Sequence, residues 1–96
     1  MTSVQQNLTR ARVYISGIVQ GVGFRMSTVQ QARQIGVNGW VRNMPTGQVE
    51  AVFEGDPSAV ERIIEWCHHG PRSASVQDVK VEYTEPRGES SFEVRR

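Results

Sequence analysis

The chain has 96 residues, of which 38% are hydrophobic and 22% charged, with eleven basic against ten acidic side chains and a formal net charge of +1. A chain of this size buries roughly 60 to 70% of the surface it exposes when unfolded, enough for one domain with its own core, and this composition excludes disorder beyond the ends. The balance of charge leaves no broad electrostatic footprint for nucleic acid or an anionic membrane, so any anion site must be local.

Cys67 is the single cysteine, which rules out an intramolecular disulfide and cannot alone build a thiolate zinc site; a reducing cytoplasm is the expected compartment. Residues Met1 to Thr9 are polar and carry no basic segment followed by an apolar one. With no apolar run near ~18 residues, neither secretion nor membrane insertion is signalled. The expected organisation is a flexible tail over residues 1–9 and a single domain over residues 10–96.

From Ala11 to Val19 the residues alternate as in a strand, with Val13, Ile15, Gly17 and Val19 on one face and Arg12, Tyr14 and Ser16 on the other. The glycine-punctuated run Gly17-Ile18-Val19-Gln20-Gly21-Val22-Gly23-Phe24-Arg25 follows, and the period then changes. Phe24, Thr28, Val29, Ala32 and Ile35 form one stripe of a helix that Gly36 should stop. Val37 to Arg42 and Gln48 to Glu54 alternate again, and Met44-Pro45-Thr46-Gly47 should close them into an antiparallel hairpin. A second helix is bounded by Asp56 as N-cap, Pro57 at its first position and Gly70-Pro71 beyond its end, with Val60, Ile63, Ile64 and Cys67 toward the core. Val76 to Tyr83 reads as a strand with Val79, Val81 and Tyr83 on one face, and Phe92-Glu93-Val94 as a short closing strand. The order β-α-β-β-α-β-β predicts a split βαβ, ferredoxin-like sandwich, with both helices on one face of a mainly antiparallel sheet of four or five strands.

Arg25 opens the first helix, where the positive end of the dipole disfavours a cation by roughly 0.3 to 1 kcal/mol. Loop amides and a guanidinium at that point suit a phosphate-sized anion. Alternatively, Gly21 and Gly23 only permit a tight strand-to-helix turn, and Arg25 is a solvated arginine lying over the helix start. A dinucleotide or P-loop motif is not formed, because no third glycine and no Gly-Lys-Ser/Thr follows. Asn43, just before the hairpin turn, reads on position alone as a turn former. Cys67 lies on the core stripe of the second helix, which favours packing over nucleophilic chemistry. His68 and His69 are adjacent at that helix's end and point ~100° apart, a poor arrangement for one metal.

Taken together, the glycine run ending on Arg25, Gly39-Trp40-Val41-Arg42-Asn43, and Gly47-Gln48-Val49-Glu50 resemble the acylphosphatase family. The resemblance continues through Glu54-Gly55, Gly70-Pro71 with Ala74 and Val76, and Phe92-Glu93-Val94-Arg95, covering about residues 10–96. The segment Trp66-Cys67-His68-His69 is less characteristic of the family. The resemblance implies hydrolysis of a small-molecule acyl phosphate to a carboxylate and inorganic phosphate, with no metal or organic cofactor. It implies that Arg25 binds the phosphate beside the backbone amides of Gln20, Gly21, Val22, Gly23 and Phe24, and that Asn43 positions the attacking water. A monomer without nucleic-acid or membrane partners is expected.

Two other function classes compete. A noncatalytic phosphate- or carbamoyl-phosphate-binding module, similar to the domain found in hydrogenase maturation proteins, would precede much larger segments, whereas this chain ends at its last strand. An RNA-binding domain of βαββαβ plan would need basic strands with paired aromatic residues for stacking, and these strands lack them.

Overall fold

The computed structural model describes residues 8–96. Its elements are β1 (Thr9–Ile18), α1 (Phe24–Ile35), β2 (Asn38–Asn43), β3 (Val49–Gly55), α2 (Pro57–Cys67), β4 (Ser75–Thr84) and β5 (Phe92–Val94). They form one five-stranded sheet in the order β4-β1-β3-β2-β5. β1 pairs antiparallel with β3 and β4, β2 pairs antiparallel with β3, and β5 joins β2 in parallel. The expected ferredoxin-like sandwich is therefore what the chain forms, with five strands and a mixed sheet.

Alternation decides which face carries the helices. Ala11, Val13 and Ile15 of β1, Val41 of β2, Val49, Ala51 and Phe53 of β3 and Phe92 of β5 are buried with Phe24, Val29 and Ala32 of α1 and Val60, Ile63 and Cys67 of α2. Both helices thus cover one side of the sheet, and their stripes are those the 3.6-residue period predicts. The Phe53 and Phe92 rings stack at 5.6 Å between centroids, which seats the three-residue β5 on the core. No described helix is long and apolar enough to cross a membrane.

Several boundaries shift for physical reasons. Residues 1–7 of the expected tail lie outside the described residues, but Thr9 belongs to β1, where it pairs with Gly55. Arg10 extends the strand as well: its guanidinium is buried and meets Glu54 at 3.3 Å and Glu89 at 2.9 Å, so a charged residue is held inside by paired carboxylates. The other end of β1 comes at Ile18, after a change of register at Ser16/Gly17. Asp56 precedes α2 as the N-cap but makes no side-chain capping hydrogen bond, so Pro57 carries more of that start signal than the aspartate does. Tyr83 alternates with Val79 and Val81 yet is exposed, on a strand that among the described residues is an edge strand paired with β1 alone.

Candidate functional site

The connection from β1 to α1 turns on two glycines. Gly21 and Gly23 adopt φ of 76° and 81°, left-handed values that L side chains resist. A β-carbon at either position would meet no atom within 4 Å. Backbone conformation rather than crowding therefore requires glycine here, and the side that β-carbons would occupy is open. Gly23 is also the last residue before α1, and its carbonyl accepts the Ser27 N–H at 3.0 Å.

No side chain caps α1, and no acidic residue lies in its first turn. The N–H groups ahead of the first helical hydrogen bond have no intrahelical partner, and they carry the positive end of the dipole. Arg25, the second residue of α1, is exposed and adds a full charge at the same end. Among the described residues Arg25 enters no ion pair. By contrast, the sheet cations Arg42 and Arg12 are paired with Glu50, at 2.6 Å and 3.4 Å. A cavity of about 260 Å³ opens beside this loop, lined by Gly21, Gly23, Phe24 and Arg25 together with Val19, Met26 and Val94.

Asn43 is the last residue of β2 and reaches this region through one side chain. Gln20 Nε2 donates to the carbonyls of Met44 and Gln48, both at 2.8 Å, which ties the glycine loop to the β2-β3 turn beside Asn43. Gln48 Nε2 in turn donates to Ser16 Oγ at 2.9 Å, a second tie from the turn to β1. The turn itself is closed by the Gly47 N–H donating to the Met44 carbonyl at 3.0 Å, as the Met44-Pro45-Thr46-Gly47 signal predicts. Asn43 Oδ1 is buried and, among the described residues, has no hydrogen-bond partner. A buried acceptor in that condition carries a desolvation cost that a donor reaching it would relieve.

The opposite flank of the loop is fixed by α2 and the segment after it. Ser73 Oγ donates to the Val22 carbonyl at 2.7 Å, and the Phe24 ring packs on Trp66 at 5.4 Å between centroids. Gly70 makes room for that ring, since a β-carbon there would stand 2.5 Å from Phe24 Cε2. The loop from Gln20 to Phe24 is thus held from both sides, and its Gly21, Gly23 and Phe24 line the cavity.

The side chain of Gln20, as distinct from its amide, is a site feature that sequence reasoning missed. The motif places a glutamine in the loop, but its bonds span 24 and 28 residues and leave no local signal. Asn43 does not line the cavity that holds Arg25, and it is joined to the loop only through its neighbour Met44. Cys67 is fully buried, and burial pushes its thiol pKa far up, as expected of a packing residue. His68 and His69 are exposed, with His69 Nε2 3.8 Å from Glu65. Among the described residues no three of His, Cys, Asp and Glu are grouped to hold a metal ion.

The chain is similar to known proteins in both sequence and fold. The family model for acylphosphatase matches residues 11–94. An acylphosphatase of Nostoc sp. is 60% identical over 92 residues, 96% of this chain and 91% of that protein. The structure of an acylphosphatase from Coxiella burnetii superposes with a TM-score of 0.92 at 37% identity, covering 97% of this chain and 100% of that one. T.kodakarensis HypF carries the fold too, at 27% identity and a TM-score of 0.81, but the match over 92% of this chain takes in only 12% of that one. With the matching family model spanning β1 to β5 and a relative of similar length sharing more than half its residues, this chain belongs to the acylphosphatase family.

Proposed function

We propose that this hydrolase of the acylphosphatase family cleaves acyl phosphates by direct attack of a water on phosphorus, with Arg25 and the loop amides holding the phosphoryl group and Asn43 orienting the water. The observation that carries this reading is an uncapped helix start bearing Arg25 together with a buried Asn43 Oδ1 that has no partner among the described residues. Gln20 links the two through the β2-β3 turn.

The chemistry follows from what each group can do. Phosphoryl transfer spreads negative charge over the equatorial oxygens, so positioning and charge stabilisation supply most of the catalysis. The amides of Gln20, Gly21, Val22, Gly23 and Phe24 and the planar guanidinium of Arg25 supply donors for those oxygens. An asparagine amide is no base at neutral pH, so Asn43 accepts a hydrogen bond from the water and aims it. The water oxygen forms a bond to phosphorus as the bond from phosphorus to the acyl oxygen breaks, and the electron pair leaves with the carboxylate. A carboxylate is stable without a proton, so no general acid is needed. The water's proton passes to a phosphoryl oxygen of the substrate or to solvent. Near-neutral charge supports a small-molecule substrate over nucleic acid or an anionic membrane, and a single buried thiol suits a reducing cytoplasm.

Hydrolysis of acetyl phosphate in the presence of a chelator tests the reading, with Arg25→Ala and Asn43→Ala beside the wild type. Arg25→Ala should lose on the order of 10²-fold in kcat/KM. Asn43→Ala should lower kcat while inhibition by inorganic phosphate changes little. In ¹⁸O-labelled water the label should enter the phosphate and not the carboxylate. Phosphate binding without turnover by the wild type would instead make the chain a noncatalytic anion-binding module.

A further inference from the structure

The cavity beside Arg25 has a wall that phosphate binding does not use. Met26 is 62% exposed and Val94 41% exposed, and both line the same cavity as Arg25. They come from different elements: Met26 from the first turn of α1, Val94 from the last position of β5. Neither serves the core. The buried stripe of α1 is Phe24, Thr28, Val29 and Ala32, which leaves Met26 outside it, while β5 commits Phe92 to the interior. Two apolar side chains from different elements, left in solvent in the same cavity as a guanidinium, make its lining amphipathic.

We propose that Met26 and Val94 form the acyl subsite, and that it selects short apolar acyl groups, alkanoyl phosphates of about three or four carbons, over acetyl phosphate. This inference rests on the hydrolytic reading above. In-line displacement places the attacking water and the leaving carboxylate on opposite sides of phosphorus. Asn43, which orients the water, is not among the described residues that line the cavity, whereas Met26 and Val94 are. The acyl group therefore leaves on the Met26 and Val94 side. A volume of about 260 Å³ lies at or below the ~300 Å³ where small-ligand sites begin, so the phosphoryl group leaves space for only a short chain. Apart from Arg25 no charged side chain lines the cavity among the described residues, so nothing there would hold a charged acyl group.

The test measures kcat/KM for acetyl, propionyl and butyryl phosphate, whose carboxylate leaving groups differ little in basicity, in the wild type and in Met26→Gln and Val94→Thr. Both substitutions nearly keep shape while making the surface polar. Full burial of a methylene is worth about 4-fold, and this half-open site should return about 2-fold per methylene in the wild type. Each variant should bring the butyryl-to-acetyl ratio back toward one. A wild type that turns over all three substrates equally would overturn the acyl subsite and leave the hydrolytic reading standing. A slope that survives both substitutions, or variants that slow all three substrates by one common factor, would overturn it as well. A wild type that hydrolyses none of them would remove the hydrolytic reading, and the subsite with it.

Discussion

Arg25 occupies a position that a helix disfavours for a cation, and no acid in its own helix turn relieves it. Glu50 neutralises Arg42 and Arg12, no acid lies in the first turn of α1, and Arg25 pairs with no carboxylate among the described residues. Such an arrangement makes sense if its counterion arrives with the substrate and carries most charge in the transition state. The shape of the charge matters as much as its sign. Arg25→Lys keeps the charge but loses the planar fork, so kcat/KM should fall about 10-fold, less than in Arg25→Ala, while Tm stays within about 1 °C, because the side chain is exposed. Parallel kinetics and thermal melts would check this, and a lysine variant of near wild-type activity would show that charge alone suffices. Asn43 behaves differently as a residue. Its place before the turn suggests a local bond, yet the turn closes through Gly47 and Met44, and Asn43 Oδ1 is left buried and unpartnered.

At the scale of elements, the site is a relation between the β1-α1 loop and the β2-β3 hairpin. The loop needs positive φ at Gly21 and Gly23, and the hairpin needs its own turn, but neither sets the distance between them. Gln20 does so through two 2.8 Å hydrogen bonds to the turn carbonyls of Met44 and Gln48. Gln20→Ala keeps the backbone amide and removes both bonds. It should cost about 1 to 2 kcal/mol of stability and lower kcat about 10-fold or more, since small misplacements of reacting groups are expensive. Inhibition by inorganic phosphate should change far less. Stopped assays at saturating substrate, read against urea unfolding, separate the two effects; equal losses in kcat and phosphate affinity would show that the loop itself had collapsed.

Across the whole molecule, Glu54 joins the beginning of the chain to its end. Its carboxylate is 3% exposed and accepts hydrogen bonds from the N–H groups of Arg87, Gly88 and Glu89, with the Arg10 guanidinium at 3.3 Å. Burial opposes ionisation, but the Arg87 and Glu89 amides, the Arg10 side chain and the Gly88 amide outweigh it and hold the carboxyl below its ordinary value. The native state therefore favours the charged form. That stability is complete above the ordinary value of 4.5 and is lost as pH falls through the lower folded value. Glu54→Gln should be less stable than the wild type at neutral pH by about 1 to 3 kcal/mol, with the gap closing in acid. Urea unfolding at pH 7 and at pH values below 4.5 would show it, and a gap independent of pH would place the stabilisation elsewhere.

The division between what was legible and what was not follows the range of the interactions. Period 2 and period 3.6 are set by neighbours along the chain, so the seven elements, the hairpin turn and the glycine loop ending on Arg25 could be read directly. The family was legible as a motif, from the glycine loop ending on Arg25 together with the segment ending on Asn43, whereas the geometry between the two segments was not. The strand order β4-β1-β3-β2-β5 makes contacts that no local pattern encodes. Arg10 looks like a surface cation until Glu54, 44 residues away, buries it, and Gln20 looks like a loop residue until the turn carbonyls arrive beside it. Val94 and Met26 each read as ordinary apolar residues. Only the parallel docking of β5 against β2 brings Val94 to the rim of the site, because a side chain's neighbours across a sheet depend on which strands the hydrophobic faces force together.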